Sequence, residues 1–175
     1  MAAILVVDDE PGVRSSVAGV LRDEGFEVDA AGTGEECLDR VTQRAYDVIV
    51  LDIWLPGIDG LTTLQRLVER RVDAQVVVIS GHGNIESAVR AIKMGAFDFI
   101  EKPLSLERIL LAVSNSLRRR KLEQEVRALK LEVQHRHQIV GESDAVQELL
   151  RVIGQAAPSN GRVLITGENG TGKEL

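Results

Sequence analysis

A small set of polar residues falls at the ends of short apolar runs, and their types suit one chemistry. Asp8, Asp9 and Glu10 follow AAILVV, Asp52 follows DVIVL, Ser80 ends QVVVIS, and Lys102 with Pro103 comes just after FDFI. Carboxylates gathered at one point repel one another and raise each other's pKa unless a cation neutralises them. Oxygen donors without His or Cys select a hard ion, usually Mg²⁺, held by one or two carboxylates together with water and phosphate oxygens. A cation, an ionised carboxylate, a hydroxyl and an ammonium are together what is needed to move a phosphoryl group onto an aspartate. The carboxylate is already a nucleophile, so no general base is required.

For these residues to converge, the runs that carry them must lie side by side and point the same way. Five runs (AAILVV, FEVDA, DVIVL, QVVVIS and FDFI) alternate with stretches of helical spacing, and runs apolar throughout suit parallel strands covered on both faces. Helix starts are marked by Pro11 and Gly12, by Gly34 before EECLDRV, and by Asn84 before IESAVRAIKMG, which ends at Gly95. Right-handed crossovers then give an α/β fold: a flavodoxin-like (βα)5 doubly wound parallel sheet, whose working site lies beyond the carboxyl ends of the strands. Cys37 falls on the second helix as a small buried hydrophobe, and His82 reads as a loop residue.

Composition narrows the functional classes. The chain has 175 residues, a formal charge of −6 and 44% hydrophobic residues, enough for one core of ordinary size plus part of another. No apolar run has the length of a membrane span, and the single cysteine fits a reducing compartment, so a cytoplasmic protein with no membrane partner is expected. Charge divides the chain: residues 1–104 carry −8, residues 105–138 carry +4 and residues 139–175 carry −2. The acidic first segment argues against nucleic acid as its direct partner. The run Arg118, Arg119, Arg120 and Lys121 reads as a solvated helix face.

DD at 8–9, DIWLPGIDG at 52–60, SGHG at 80–83 and EKP at 101–103 resemble the signature set of two-component response-regulator receiver domains. That resemblance implies Asp52 as phosphoacceptor. It implies Mg²⁺ held by Asp8, Asp9, Asp52 and the backbone carbonyl of Trp54, with Ser80 and Lys102 contacting the phosphoryl oxygens. It further implies Phe99 as the switch aromatic that moves with Ser80, a cis bond before Pro103 that aims Lys102 inward, and a sensor histidine kinase as partner. Trp54, Leu55 and Ile58 beside the acceptor are candidate kinase contacts or ordinary loop packing.

Beyond the fifth run, Leu106, Leu110, Val113 and Leu117 form one helical stripe, expected to close the core of a first domain, residues 1–117. Leu122, Val126, Leu129 and Val133 form a second stripe, expected to make a short coiled-coil seam in a linker of residues 118–138, giving a homodimer through residues 106–133. His135 and His137 make no convincing metal site. In residues 139–175 a helix, AVQELLRVIGQAA, precedes an expected strand, RVLITG, and then a phosphate-loop pattern formed by Gly167, Glu168, Asn169, Gly170, Thr171, Gly172, Lys173 and Glu174. Glu174 stands where such loops usually place Ser or Thr.

This segment resembles the opening of the AAA+ ATPase domain of NtrC-type activators of sigma-54 RNA polymerase, the NtrX-like branch in particular. The resemblance implies ATP as a cofactor of the full-length protein only, with polymerase and DNA contacted through parts this chain lacks. The chain itself is therefore expected not to hydrolyse ATP and is not classed as an enzyme. The expected function is a phosphorylation-dependent switch controlling oligomerisation and activity of a transcription activator. The alternatives are a P-loop ATPase fragment and a constitutive dimerisation module.

Overall fold

The computed structural model describes residues 1–81, 85–136, 139, 141, 143–158 and 161–168, with the side chains of its longest helix described through Lys130. His82, Gly83, Asn84, His137 and residues 169–174 of the phosphate loop lie outside the described residues, as do the side chains of Val133 and His135.

One compact unit covers Met1–Glu123. Its strands β1 (Ala3–Val7), β2 (Glu27–Ala31), β3 (Val48–Asp52), β4 (Gln75–Ser80) and β5 (Asp98–Glu101) alternate with helices α1 (Pro11–Asp23), α2 (Gly34–Gln43), α3 (Gly60–Glu69), α4 (Ile85–Lys93) and α5 (Leu106–Arg136). All pairings are parallel and the strand order is β2-β1-β3-β4-β5, the doubly wound topology expected from the sequence.

The alternation within each strand explains the two layers. Ile4 and Val6 of β1 pack with Val17 and Leu21 of α1 and Ile109 and Val113 of α5, whereas Leu5 and Val7 pack with Leu38 of α2, Leu64 of α3 and Ala91 of α4. Each such fully buried Leu, Ile or Val contributes about 1.5–3 kcal/mol. Cys37 is fully buried in the second of these clusters. Local chemistry fixes the helix starts: Pro11 opens α1, the Glu36 amide donates to Thr33 Oγ1 (3.1 Å) at α2, and the Thr62 amide donates to Asp59 Oδ1 (2.6 Å) at α3.

Three expectations need correction. Leu106 is 52% exposed and does not close the core, whereas Leu110, Val113 and Leu117 of the expected stripe pack on it, with Ile109, Ala112 and Ser116 buried beside them. The 3.6-residue period admits either phase, and only the sheet surface selects one. The basic run is not a uniformly solvated face, because the Arg120 side chain is only 12% exposed. In the second unit, Gln124–Leu175, helix α6 (Asp144–Ala156) forms with Ser143 as its cap, but residues 161–168 form no strand. Val163, Leu164 and Ile165 there are exposed, and no neighbouring strand among the described residues offers RVLITG a ladder.

Candidate functional site

The parallel register brings the carboxyl ends of β1, β3, β4 and β5 to one rim, beside the point where the strand order reverses between β1 and β3. Asp8 follows β1 and is fully buried, Asp52 is the last residue of β3 and buried, and Ser80 is the last residue of β4 and buried. Lys102 follows β5, its amide donating to the Ser80 carbonyl at 2.8 Å, and the Lys102-Pro103 bond is cis. Lys102 Nζ lies 2.6 Å from Asp52 Oδ2, 2.8 Å from Asp8 Oδ2 and 3.7 Å from Glu10 Oε1. Asp8, Asp52 and Lys102 are thus brought together. Asp9 is exposed, but its carboxylate lies within 4.8 Å of those of Asp8 and Glu10.

The loop after Asp52 is built around two glycines. The Gly60 amide donates to the Ile53 carbonyl (2.8 Å), and a Cβ at Gly60 would come within 2.0 Å of the Asp52 carbonyl oxygen. Gly57 adopts a φ of +78°, a region that favours glycine. The Trp54 amide donates to Asp52 Oδ1 (3.1 Å), and the Ile58 amide donates to Glu35 Oε1 (3.0 Å) on α2. Trp54 is 60% exposed, whereas Leu55 and Ile58 are half-buried and packed against the core. Phe99 is half-buried on the α2–α4 side of the sheet.

Glu10 was singled out from sequence with Asp8 and Asp9, whereas Glu35 and Arg14 were not. Arg14 Nη1 donates to the Asp8 carbonyl, fixing the turn that carries the acidic pair. No motif marks Glu35 or Arg14; one is positioned by a contact with a segment distant in sequence and the other by one turn of helix.

Electrostatics follow from burial. Burial pushes the Asp52 carboxyl above its ordinary range; the Lys102 ammonium and the Trp54 amide pull it back, and the Asp8 charge adds to the rise. Burial alone would lower Lys102, but the close contacts with Asp52 and Asp8 outweigh it and hold the ammonium firmly charged. Asp8 Oδ2 is buried beside that ammonium yet accepts no well-aligned hydrogen bond among the described residues. A buried carboxylate beside further carboxylates, with no His or Cys in the set, fits a hard divalent cation such as Mg²⁺. Asp52 is thus a buried carboxylate with one oxygen bonded to a backbone amide and the other to an ammonium.

Comparison with known proteins agrees with this geometry. Residues 4–114 match the family described as the response regulator receiver domain, and residues 139–175 match the sigma-54 interaction domain. The chain is 44% identical over 174 residues to the nitrogen assimilation regulatory protein NtrX of Azorhizobium caulinodans, covering 98% of this chain and 38% of that protein. The crystal structure of NtrX from Brucella abortus in complex with ATP superposes with a TM-score of 0.70 at 45% identity, covering 99% of this chain and 38% of that one. The solution structure of the beryllofluoride-activated NtrC4 receiver domain dimer gives a TM-score of 0.66 at 41% identity over 69% of this chain and 99% of that one. The chain therefore spans about two fifths of the length of the curated relatives it resembles.

Proposed function

The chain belongs to the response regulator receiver domain family, and from that premise we propose that residues 1–117 are a receiver whose Asp52 accepts a phosphoryl group from a sensor histidine kinase. The observation that carries this reading is the convergence of Asp8, Asp52 and Lys102 within a few ångströms at one sheet rim.

In the proposed reaction an Asp52 carboxylate oxygen attacks phosphorus, a new O–P bond forms, and the donor's bond to phosphorus breaks with its electrons leaving on the donor. Asp8, Asp9, Asp52 and the Trp54 carbonyl would hold Mg²⁺, which when bound offsets the negative charge of the incoming phosphoryl oxygens. Lys102 then exchanges its contact with Asp52 for one to a phosphoryl oxygen, and the Ser80 hydroxyl donates to another. The acyl phosphate puts a group of about −2 charge where a carboxylate of −1 stood, in a buried corner. Ser80 and Lys102 reach it by moving their loops, with Phe99 and Pro103 in the same moving segment.

Residues 118–138 are proposed as a linker joining two copies through residues 106–133, and residues 139–175 as part of an ATPase domain. The exposure of Leu122, Val126 and Leu129 supports the association, and the beryllofluoride-activated NtrC4 receiver, solved as a dimer, points the same way. No ATP hydrolysis is proposed for residues 139–175 themselves. ATP bound through residues 167–174 is proposed only for an intact domain, by analogy with the Brucella protein. Sigma-54 RNA polymerase is the proposed downstream partner of the whole protein, and no residue of this chain is assigned to polymerase or DNA. No described helix is long and apolar enough to cross a membrane, and a cytoplasmic location is proposed.

Incubation with Mg²⁺ and acetyl phosphate should add one phosphate to the intact mass, and Asp52→Asn should abolish the gain. A phosphate that survives this substitution removes Asp52 from its role. Light scattering with and without beryllofluoride reads whether the modified receiver joins or parts the two copies.

A further inference from the structure

We propose that Arg120 is a latch that fixes the middle of the long helix α5 to the sheet rim opposite the phosphoacceptor, and so sets the direction in which the apolar row beginning at Leu122 faces. The second clause rests on the dimer reading above.

Arg120 Nε lies 3.0 Å from Asp47 Oδ1 and Nη2 lies 3.2 Å from Asp73 Oδ2, ion-pair contacts of which the buried Nε makes no well-aligned hydrogen bond among the described residues, with the side chain only 12% exposed. Asp47 immediately precedes β3 and Asp73 precedes β4, so the planar guanidinium fork spans the amino-terminal ends of two adjacent strands. Asp47 is itself held, its Oδ2 accepting from the Ala3 amide at 2.8 Å. One turn further on, Glu123 closes the arrangement: its Oε2 accepts from Gln75 Nε2 at 3.0 Å and its Oε1 from Arg119 Nε at 2.9 Å. The Arg119 guanidinium also lies 5.9 Å from the centre of the Phe97 ring, just before β5. Residues 119–123 of α5 are therefore tied to the starts of β3, β4 and β5. This rim is roughly 16 Å from the Asp52 end, taking five strand residues at about 3.3 Å each.

The helical period supplies the consequence. Two residues beyond Arg120, Leu122 points about 200° around the helix from it, so a guanidinium held on the sheet turns Leu122 outward. Leu122 is 56% exposed, as this requires, and Val126 and Leu129 continue the row along the same helix. Apolar residues so exposed suit a second copy of the same helix. A loosened latch lets α5 lift or rotate at residues 116–123, and the row loses its fixed presentation.

The test uses the whole chain. In Arg120→Ala, deuterium uptake in peptides covering residues 116–123 should accelerate about tenfold or more, while uptake in β1, β3 and α1 stays within twofold of wild type. Phosphorylation of Asp52 by acetyl phosphate should be unchanged, and the dimer dissociation constant by light scattering should weaken about tenfold. Arg120→Lys keeps the charge but not the fork, and should restore less than half of the protection. Should the alanine variant fold poorly, Asp73→Asn removes only the half-exposed partner and should give a smaller change of the same pattern. Unchanged uptake at residues 116–123, or faster uptake with unchanged association, overturns the proposal. A wild-type chain that stays monomeric, or that gains no phosphate, instead overturns the readings of the preceding subsection.

Discussion

Lys102 Nζ lies 2.6 Å from Asp52 Oδ2, and the same ammonium lies 2.8 Å from Asp8 Oδ2, so one side chain neutralises two buried carboxylates that would otherwise face each other. Removing one member of a buried ionic group leaves charges without compensation, which costs about 3–5 kcal/mol. Lys102→Met should therefore lose about 3 kcal/mol of unfolding free energy at pH 7 in EDTA, measured by urea titration, with much of the loss recovered when Mg²⁺ is added. A loss below about 1 kcal/mol would show that the ammonium does not hold the acidic pocket together.

Asp52 gives a pH dependence of unusual sign. Its carboxyl is raised by burial and by Asp8 in spite of Lys102, so the folded chain binds a proton more readily there than the unfolded chain does. For such a group stability falls as pH rises from the unfolded value, about 3.9, through the raised folded value. Asp52→Asn removes that loss. In EDTA at pH 7 the variant should unfold at a higher urea concentration than wild type, and the gap should close as the pH is lowered toward 4. An asparagine variant less stable than wild type at pH 7 would mean that the Lys102 contact outweighs burial.

Gly60 and Gly57 should differ in sensitivity for different reasons. A Cβ at Gly60 would sit 2.0 Å from the Asp52 carbonyl oxygen and 2.7 Å from Ile53 Cα, both backbone atoms that cannot step aside. Gly60→Ala should cost more than about 3 kcal/mol or prevent folding, read by circular dichroism and urea unfolding. At Gly57 the φ of +78° costs an alanine about 1–2 kcal/mol, and the Cβ meets only the end of the Glu35 side chain, 2.5 Å away. Gly57→Ala should fold with reduced stability, and equal effects at the two positions would contradict this ranking.

What the sequence reveals here depends on how local the cause is. The strands, their parallel order and the gathering of Asp8, Asp52, Ser80 and Lys102 at one rim were legible because wholly apolar runs and strand-end polar residues leave few topologies. The phase of α5 was not. Leu106 and Ile109 are equally good core candidates by period, and the docking of Ile109, Ala112 and Val113 on β-strand residues decides between them. Arg120 looked like any arginine in RRRK, because Asp47 and Asp73 lie 73 and 47 positions away in sequence. RVLITG carries strand propensity, but a strand needs a ladder partner that its own segment cannot supply.

Glu35 shows how the second helix shapes the loop beside the acceptor. Its carboxyl is held below the ordinary range by the backbone amides of its own residue and of Ile58, with burial opposing weakly and Thr33 and Arg66 adding to the drop. A depressed carboxyl contributes stability that is present above its unfolded value of about 4.3 and is lost as pH falls through the folded value. Glu35→Gln keeps the shape but weakens the bond to the Ile58 amide, which anchors the turn carrying Gly57. The variant should be less stable than wild type at pH 7, and the difference should shrink between pH 5 and pH 3. Its acetyl phosphate labelling should slow, because the same turn presents the Trp54 amide to Asp52 Oδ1. A stability difference that stays constant across that pH range would assign the effect to side-chain shape and not to the charge.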